Sequence, residues 1–192
     1  MDYLSTIKIN KEPSERLKKL AGRTLNLLPG INLLVGENGI GKSSILRDLN
    51  DNVISKKSTK ITTTGALSTF FFDTERMNPR IKNHVDSGLD IALRFVSHGE
   101  CLSAILTQFK ELIKDKSKSY VLFIDEPESG LSPWKQKELL DLYVKHSKRV
   151  QMVIATHSLI FTRAKVGRLI ELSTDDINYF DPPCSYNWNG LQ

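Results

Sequence analysis

The sequence predicts an α/β fold in which a mainly parallel central sheet is flanked by helices. Three short, largely apolar runs support this prediction, namely residues 31–35, 121–124 and 151–155. Each run has the length of one strand and ends at glycine or polar residues. Strands that are buried on both faces of a parallel sheet are typically continuous in apolar residues and do not alternate with polar ones.

The remaining elements follow from local patterns of apolar, charged and helix-starting residues. In the N-terminal part, the sequence predicts strands at Tyr3–Ile9 and Leu25–Leu28 around a charged turn or short helix at 11–22. A loop or strand edge at Asn50–Lys60, a strand at Phe70–Phe72 and a short helix at Leu89–Val96 follow. In the C-terminal part, the sequence predicts a helix that is capped by Ser132, begins at Pro133 and ends near His146, and an irregular tail at 181–192. Because proline is well suited to the first position of a helix, Pro133 fixes the predicted start of the helix that ends near His146.

Composition limits the class of protein. The chain has 192 residues, and we expect one domain over residues 1–192. No apolar run approaches the roughly 20 residues that a membrane span needs, and the N-terminal segment is charged, so we expect a soluble, cytoplasmic protein without membrane insertion. The two cysteines lie far apart and lack metal-site spacing, which favours reduced thiols.

The segment 36–43, Gly-Glu-Asn-Gly-Ile-Gly-Lys-Ser, fits the phosphate-loop pattern G-x-x-x-x-G-K-[ST] at every fixed position. It lies between the first apolar run and a predicted helix from Lys42 to about Asn50. Glycines let the backbone N–H groups point at phosphate oxygens, and the helix N-terminus adds a positive dipole end. We expect Lys42 to reach the β and γ phosphates and Ser43 to hold Mg²⁺. The expected nucleotide contacts are the loop and the residue after it, namely Gly36, Glu37, Asn38, Gly39, Ile40, Gly41, Lys42, Ser43 and Ser44.

Carboxylates follow the second apolar run directly. Asp125 and Glu126 would lie at the carboxyl end of a buried parallel strand, which is where open α/β sheets bind ligands. We expect Asp125 to complete the Mg²⁺ shell and Glu126 to act on an attacking water. His157 follows the third run in the same way, and its position at a strand end favours a catalytic role over a structural one.

The segment Ser97-His98-Gly99-Glu100 has the capping-box pattern S-x-x-E and precedes apolar residues at helical spacing. A helix N-terminus with unpaired N–H groups suits an anion such as a γ-phosphate. Alone, the pattern is more typical of a simple helix cap.

Taken together and in this order, the motifs resemble those of the ABC-type ATPases, a class of P-loop NTPase. The resemblance implies an N-terminal antiparallel strand region, a small helical subdomain at about 74–116, and a dimer that holds ATP between the phosphate loop of one subunit and the Ser97, Gly99 and Glu100 segment of the other. It also implies that His157 contacts the γ-phosphate and that 127–133 is an interface loop. The family usually has a glutamine where Asp73 and Glu75 follow the Phe70–Phe72 strand, and either carboxylate could take its place.

The resemblance implies a magnesium-dependent ATPase, closest in style to the RecF and SMC-like branch and to prokaryotic defence ATPases. We expect ATP hydrolysis in a homodimer that acts on DNA or on a nuclease or other effector protein. Two alternatives stay open: the energy subunit of an ABC transporter, and an ATP-dependent dimerising module with little turnover. The net charge of +5 is compatible with nucleic-acid binding and equally with a solvated surface. Candidates for contacting the adenine are Tyr3, Arg16 and Lys18.

Overall fold

The computed structural model describes residues 2–50, 58–73, 115 and 117–173. In these residues the elements are, in chain order, β1 (Leu4–Ile9), a 3-10 helix (Glu15–Leu20), β2 (Thr24–Asn26), β3 (Ile31–Gly36), α1 (Lys42–Asn50), β4 (Thr59–Thr63), β5 (Leu67–Asp73), β6 (Ser119–Asp125), α2 (Pro133–His146), β7 (Val150–Ala155), α3 (Leu159–Arg163) and β8 (Arg168–Leu172). None of these helices is both long enough and apolar enough to cross a bilayer.

The central sheet has five strands in the order β5-β6-β7-β3-β8, and every neighbouring pair is parallel. A second sheet, in the order β2-β1-β4, is antiparallel. The α/β prediction and the N-terminal antiparallel region are therefore confirmed. In a parallel sheet all strands end at the same edge, so β3, β5, β6 and β7 deliver the residues that follow them to one side of the molecule.

Strand β6 shows why the apolar runs predicted the sheet. Val121 and Phe123 point into a core shared with β1, β2, the 3-10 helix and α1, whereas Leu122 and Ile124 point into a core shared with α2 and α3. All four side chains are at most 4% exposed. Because successive side chains in a strand point to opposite faces, burial on both faces requires an unbroken apolar run.

Helix α2 begins as predicted, with Ser132 at the N-cap and Pro133 at the first position, and it ends at His146. It buries Leu139 and Leu140 together with Tyr143. The rings of Tyr143 and of Phe161 on α3 pack edge to face, with their centroids 6.3 Å apart. Edge-to-face aromatic packing of this kind adds to the apolar burial between the helices.

The observed elements differ from the prediction at several points. Strand β2 ends two residues early, at Asn26, although Leu27 is buried and its N–H donates to the carbonyl of Ser5. Strand β4 begins at Thr59, near the end of the segment predicted as a loop or strand edge, and β8 and the five-residue α3 were not predicted from the sequence. The predicted helix at Leu89–Val96 lies outside the described residues, as does the helical subdomain at 74–116 apart from Asp115.

A buried side chain on β7, that of Gln151, hydrogen-bonds the parallel sheet to β1. Its Oε1 accepts from the Leu4 N–H at 2.7 Å, and its Nε2 donates to the carbonyls of Leu4 at 2.8 Å and Leu28 at 2.9 Å. The amide therefore pairs with Leu4 as a neighbouring peptide group would. Since Gln151 is fully buried, these bonds are shielded from water, where an unpaired polar group would cost free energy.

We expect Gln151→Leu to lower the free energy of unfolding by about 2–4 kcal/mol, because it leaves the peptide groups of Leu4 buried without partners. Chemical denaturation of the nucleotide-free protein measures the change. Asn26→Leu is the matched control, since the Asn26 side chain is exposed on β2, and it should change the stability by about 0.5 kcal/mol or less. Equal stability of Gln151→Leu and wild type would contradict this account.

Candidate nucleotide-binding site

The phosphate loop connects β3 to α1 and depends on its glycines. Gly36, Gly39 and Gly41 have φ values of 147°, 74° and 112°, which residues with a Cβ rarely adopt. A Cβ on Gly36 would also collide with the carbonyl oxygen of Leu172 on β8. The loop is thus packed against the end of a neighbouring strand, and its curl is fixed before any ligand arrives.

Lys42, at the first position of α1, turns back over this loop. Its Nζ donates to the carbonyl oxygens of Gly36 at 2.9 Å and Glu37 at 3.0 Å. Burial lowers the pKa of Lys42 below its ordinary value, and the charges of Glu126 and Asp125 act in the opposite direction. The ammonium group is therefore held at the loop by oxygen atoms that a phosphate could replace.

Ser43 lies opposite the end of β6. Its Oγ donates to Asp125 Oδ1 at 2.8 Å, and the other carboxylate oxygen of Asp125 is 3.4 Å from Nη2 of Arg47. Asp125 is only 4% exposed, so its charge is held by a hydroxyl and a guanidinium in a poorly hydrated place. The two residues that the sequence assigned to the metal are therefore in direct contact.

Glu126 and His157 face each other from adjacent strand ends. Oε1 of Glu126 is 3.7 Å from Nε2 of His157, and both side chains are about one third exposed, at 37% and 29%. Glu126 has a φ of 46°, which is unusual for a residue with a side chain, and its N–H donates to the carbonyl of Ala155 at 2.9 Å. Strained backbone of this kind is concentrated at functional sites.

One cavity brings these groups together. It has a volume of about 740 Å³, within the range of about 300–1,000 Å³ typical of ligand pockets. Its lining includes the predicted loop residues 38–39 and 41–44, both Glu126 and His157, and one residue from the 3-10 helix, Arg16. Ile40 instead anchors the loop in the hydrophobic core.

The three adenine candidates are in different places. Arg16 lines the cavity, whereas Lys18 pairs with Glu15 on the exposed side of the 3-10 helix. The N–H of Tyr3 donates to Thr64, and its neighbour Asp2 donates to Ser119 at the start of β6, which is the opposite edge of the sheet. Of the three, the geometry favours Arg16.

Part of the predicted site falls outside the residues that the structure describes. Ser97, Gly99 and Glu100 lie outside the described residues, as does Glu75. The backbone of Asp73 ends β5 and is paired in register with Asp125, which sets it at the same sheet edge.

Sequence reasoning did not identify Glu128, two residues beyond Glu126. Its Oε1 accepts from three groups after β7: Thr156 Oγ1 at 2.7 Å, the His157 N–H at 2.6 Å and the Ser158 N–H at 3.1 Å. Nothing in the local sequence marks this contact, because donor and acceptor stand on separate loops.

A protein-family model described as "AAA domain, putative AbiEii toxin, Type IV TA system" matches residues 52–162. The chain belongs to this AAA-domain family. The match begins after the phosphate loop and includes the segment with Ser97, the Asp125 and Glu126 pair, and His157. No curated protein sequence matches this AAA-domain chain.

Solved structures share the fold of this AAA domain. The SMC head domain from Thermotoga maritima has a TM-score of 0.53 at 14% identity and covers 88% of this chain and 94% of its own. A nucleotide-free ATP-binding cassette from an ABC transporter has a TM-score of 0.62 at 15% identity, covering 91% and 88%. A dimeric ATP-binding cassette bound to ADP and Pi in a post-hydrolysis state has a TM-score of 0.52 at 16% identity, covering 91% and 95%. The chain therefore has the P-loop ATPase fold of the ABC and SMC type, as predicted.

Proposed function

We propose that this AAA domain binds ATP and hydrolyses it to ADP and phosphate. The observation that carries the proposal is the single cavity in which Lys42 and Ser43 of the phosphate loop meet Glu126 and His157 of the neighbouring strand ends. The loop supplies backbone N–H groups and a cation for a polyphosphate. The carboxylate and the imidazole supply groups that can orient a water molecule and take its proton.

In this mechanism water attacks the γ-phosphorus, and the bond to the β–γ bridging oxygen breaks. Glu126 orients the water and accepts its proton, while His157 donates to a γ-phosphate oxygen. Lys42 leaves its two carbonyl acceptors and offsets the charge on the phosphate oxygens. Phosphoryl transfer is promoted mainly by positioning and electrostatics, which these side chains provide without a covalent intermediate.

The residues also fit Mg²⁺. Among the described residues, no group of three or more His, Cys, Asp and Glu side chains could hold a metal ion. Mg²⁺ is usually held by one or two protein oxygens together with substrate phosphates, and Ser43 and Asp125 offer a hydroxyl and a carboxylate 2.8 Å apart. The metal would neutralise phosphate charge.

We expect Glu126→Gln to retain ATP binding and to lower kcat by about 100-fold or more, because the amide cannot accept the proton of the water. Phosphate release and nucleotide titration measure the two properties separately. The matched control is Glu138→Gln, whose side chain is 65% exposed and pairs with Lys135 on α2. It should match wild type. Equal turnover in Glu126→Gln and wild type would contradict the role given to Glu126, whereas negligible turnover in wild type would favour the ATP-dependent dimerising module.

We further infer that the active form is a dimer, in which Ser97, Gly99 and Glu100 of one subunit complete the ATP site of the other. The exposed faces of Glu126 and His157 support this inference, because excluding water there requires a second surface. One structure of similar fold is described as a dimer bound to ADP and Pi.

Light scattering of Glu126→Gln tests the dimer. We expect the mass of one chain without nucleotide and of two chains with Mg²⁺-ATP, since the variant traps bound ATP. Lys42→Ala should remain monomeric under both conditions because it lacks the ammonium that binds phosphate. A monomer of Glu126→Gln with ATP demonstrably bound would contradict the composite site.

We propose DNA as the macromolecule on which the dimer acts. On the antiparallel sheet, Lys8 of β1 stands directly opposite Lys60 of β4, and both are exposed. Like charges in this arrangement repel each other unless an anion binds between them. The neighbouring cross-strand positions are occupied by Thr6, Thr24 and Thr62, which offer hydroxyl groups to a phosphate backbone.

The double variant Lys8→Gln/Lys60→Gln should bind duplex DNA about tenfold more weakly and should flatten the slope of log K against log salt by about 2, since two phosphate contacts are lost. Fluorescence anisotropy with Mg²⁺-ATP measures both. The control is Lys135→Gln/Lys137→Gln on the exposed side of α2. Unchanged affinity and salt dependence in the first variant would contradict the contact at Lys8 and Lys60, and the absence of salt-sensitive DNA binding by wild type would favour a protein partner.

A further inference from the structure

Two loops meet behind the candidate catalytic pair. The first loop, 126–132, follows β6 and begins with Glu126. The second, Thr156–Ser158, follows β7 and has His157 at its centre. Glu128 connects them, because its Oε1 accepts from the Thr156 hydroxyl and from the N–H groups of His157 and Ser158. One carboxylate oxygen thus fixes three consecutive residues of the second loop.

A second contact joins the same two loops. The side chain of Gln136, on the first turn of α2, donates from Nε2 to the carbonyl of Leu131 at 3.0 Å. Its Oε1 accepts from Ser158 Oγ at 2.7 Å, and that hydroxyl is also the N-cap acceptor of α3. The first loop is therefore bonded to the second directly through Glu128, and Gln136 bridges its other end, at Leu131, to Ser158.

The chemistry of Glu128 goes beyond packing. Its Oε2 is buried and has no hydrogen-bond partner among the described residues, so the donors of the second loop all converge on Oε1. Bonds from N–H groups to a carboxylate are shorter and stronger than bonds to a neutral amide. The 2.6 Å separation from the His157 nitrogen is consistent with such a bond.

We propose that Glu128 is a positioning residue for hydrolysis, which holds the His157 backbone so that the imidazole faces Glu126. This proposal rests on the catalytic role of His157 given above. Glu128 does not touch the reacting atoms. Glu128 belongs to the same short loop as Glu126. The position of His157 is therefore coupled to the loop that carries the carboxylate proposed to orient water.

The test is a double-mutant cycle of Glu128→Ala and His157→Ala, with kcat and KM measured for each protein. Glu128→Ala should lower kcat by about 10- to 100-fold, as loss of an outer-shell partner typically does, and should leave KM within about twofold of wild type. Glu128→Gln keeps an acceptor oxygen and should recover most of the lost kcat. In the His157→Ala background, Glu128→Ala should have no further effect.

A spectroscopic arm reports on the contact without turnover. The amide proton of His157 should resonate downfield in wild type, move upfield in Glu128→Ala and stay downfield in Glu128→Gln. If Glu128→Ala does not fold, Thr156→Val removes the hydroxyl that donates to Glu128 and accepts from the Ser158 N–H, and it should lower kcat at unchanged KM. Thr69→Val, at an exposed position of β5, is its control and should leave kcat unchanged.

The outcomes separate the two proposals. Equal losses from Glu128→Ala in the wild-type and His157→Ala backgrounds would overturn the role of Glu128 and leave hydrolysis by Glu126 and His157 intact. Full turnover in His157→Ala would overturn the proposed role of His157, and the role of Glu128 with it. An amide-proton shift of His157 that is the same in Glu128→Ala and wild type would show that the contact does not form.

Discussion

The shared edge of the parallel sheet is the constraint on which the rest of this molecule depends. Strands β3, β6 and β7 all end there, and each delivers the residues that follow it to one place although they are far apart in sequence. A parallel arrangement needs crossover connections that cover both faces of the sheet. The same requirement that buries the strands therefore gathers the phosphate loop, the acidic pair and the histidine.

Several groups at this edge are held in costly states. The Lys42 ammonium is buried, Asp125 is almost fully removed from water, and Glu126 adopts a left-handed backbone conformation. Hydrogen bonds and charge pairs offset part of each cost: the loop carbonyls bind Lys42, and Ser43 with Arg47 holds Asp125. The site is thus preorganised by contacts that the surrounding core keeps in place, and substrate binding can proceed by exchange of partners.

Much of this arrangement could be predicted from the sequence, because its signals are local. The apolar runs identified the strands, and the pattern at 36–43 identified the phosphate loop and the start of α1. Pro133 fixed the start of α2. Each signal depends only on residues a few positions apart, so it survives without knowledge of the tertiary structure. Strands β4 and β8 contain polar and charged residues, so neither has the continuous apolar run that identified the other strands.

The contacts of Gln151 and Glu128 could not be predicted, since each joins segments that are distant in the chain. Gln151 even lies within an apolar run, where its partner Leu4 is 147 positions away. Side-chain bonds to the backbone have no period and no fixed spacing, so only the assembled fold reveals them. They nevertheless hold β1 against β7, and the loop after β6 against the loop after β7.

The left-handed backbone of Glu126 has a consequence for how such a chain changes over generations. Glycine would occupy this conformation without the cost of about 1–3 kcal/mol that a residue with a side chain incurs. Selection for stability alone would therefore drive the position toward glycine, and only selection for the carboxylate opposes it. Under the proposed role of Glu126 in hydrolysis, a descendant that lost the activity could gain stability by replacing this glutamate with glycine, whereas an active lineage must keep the less stable residue.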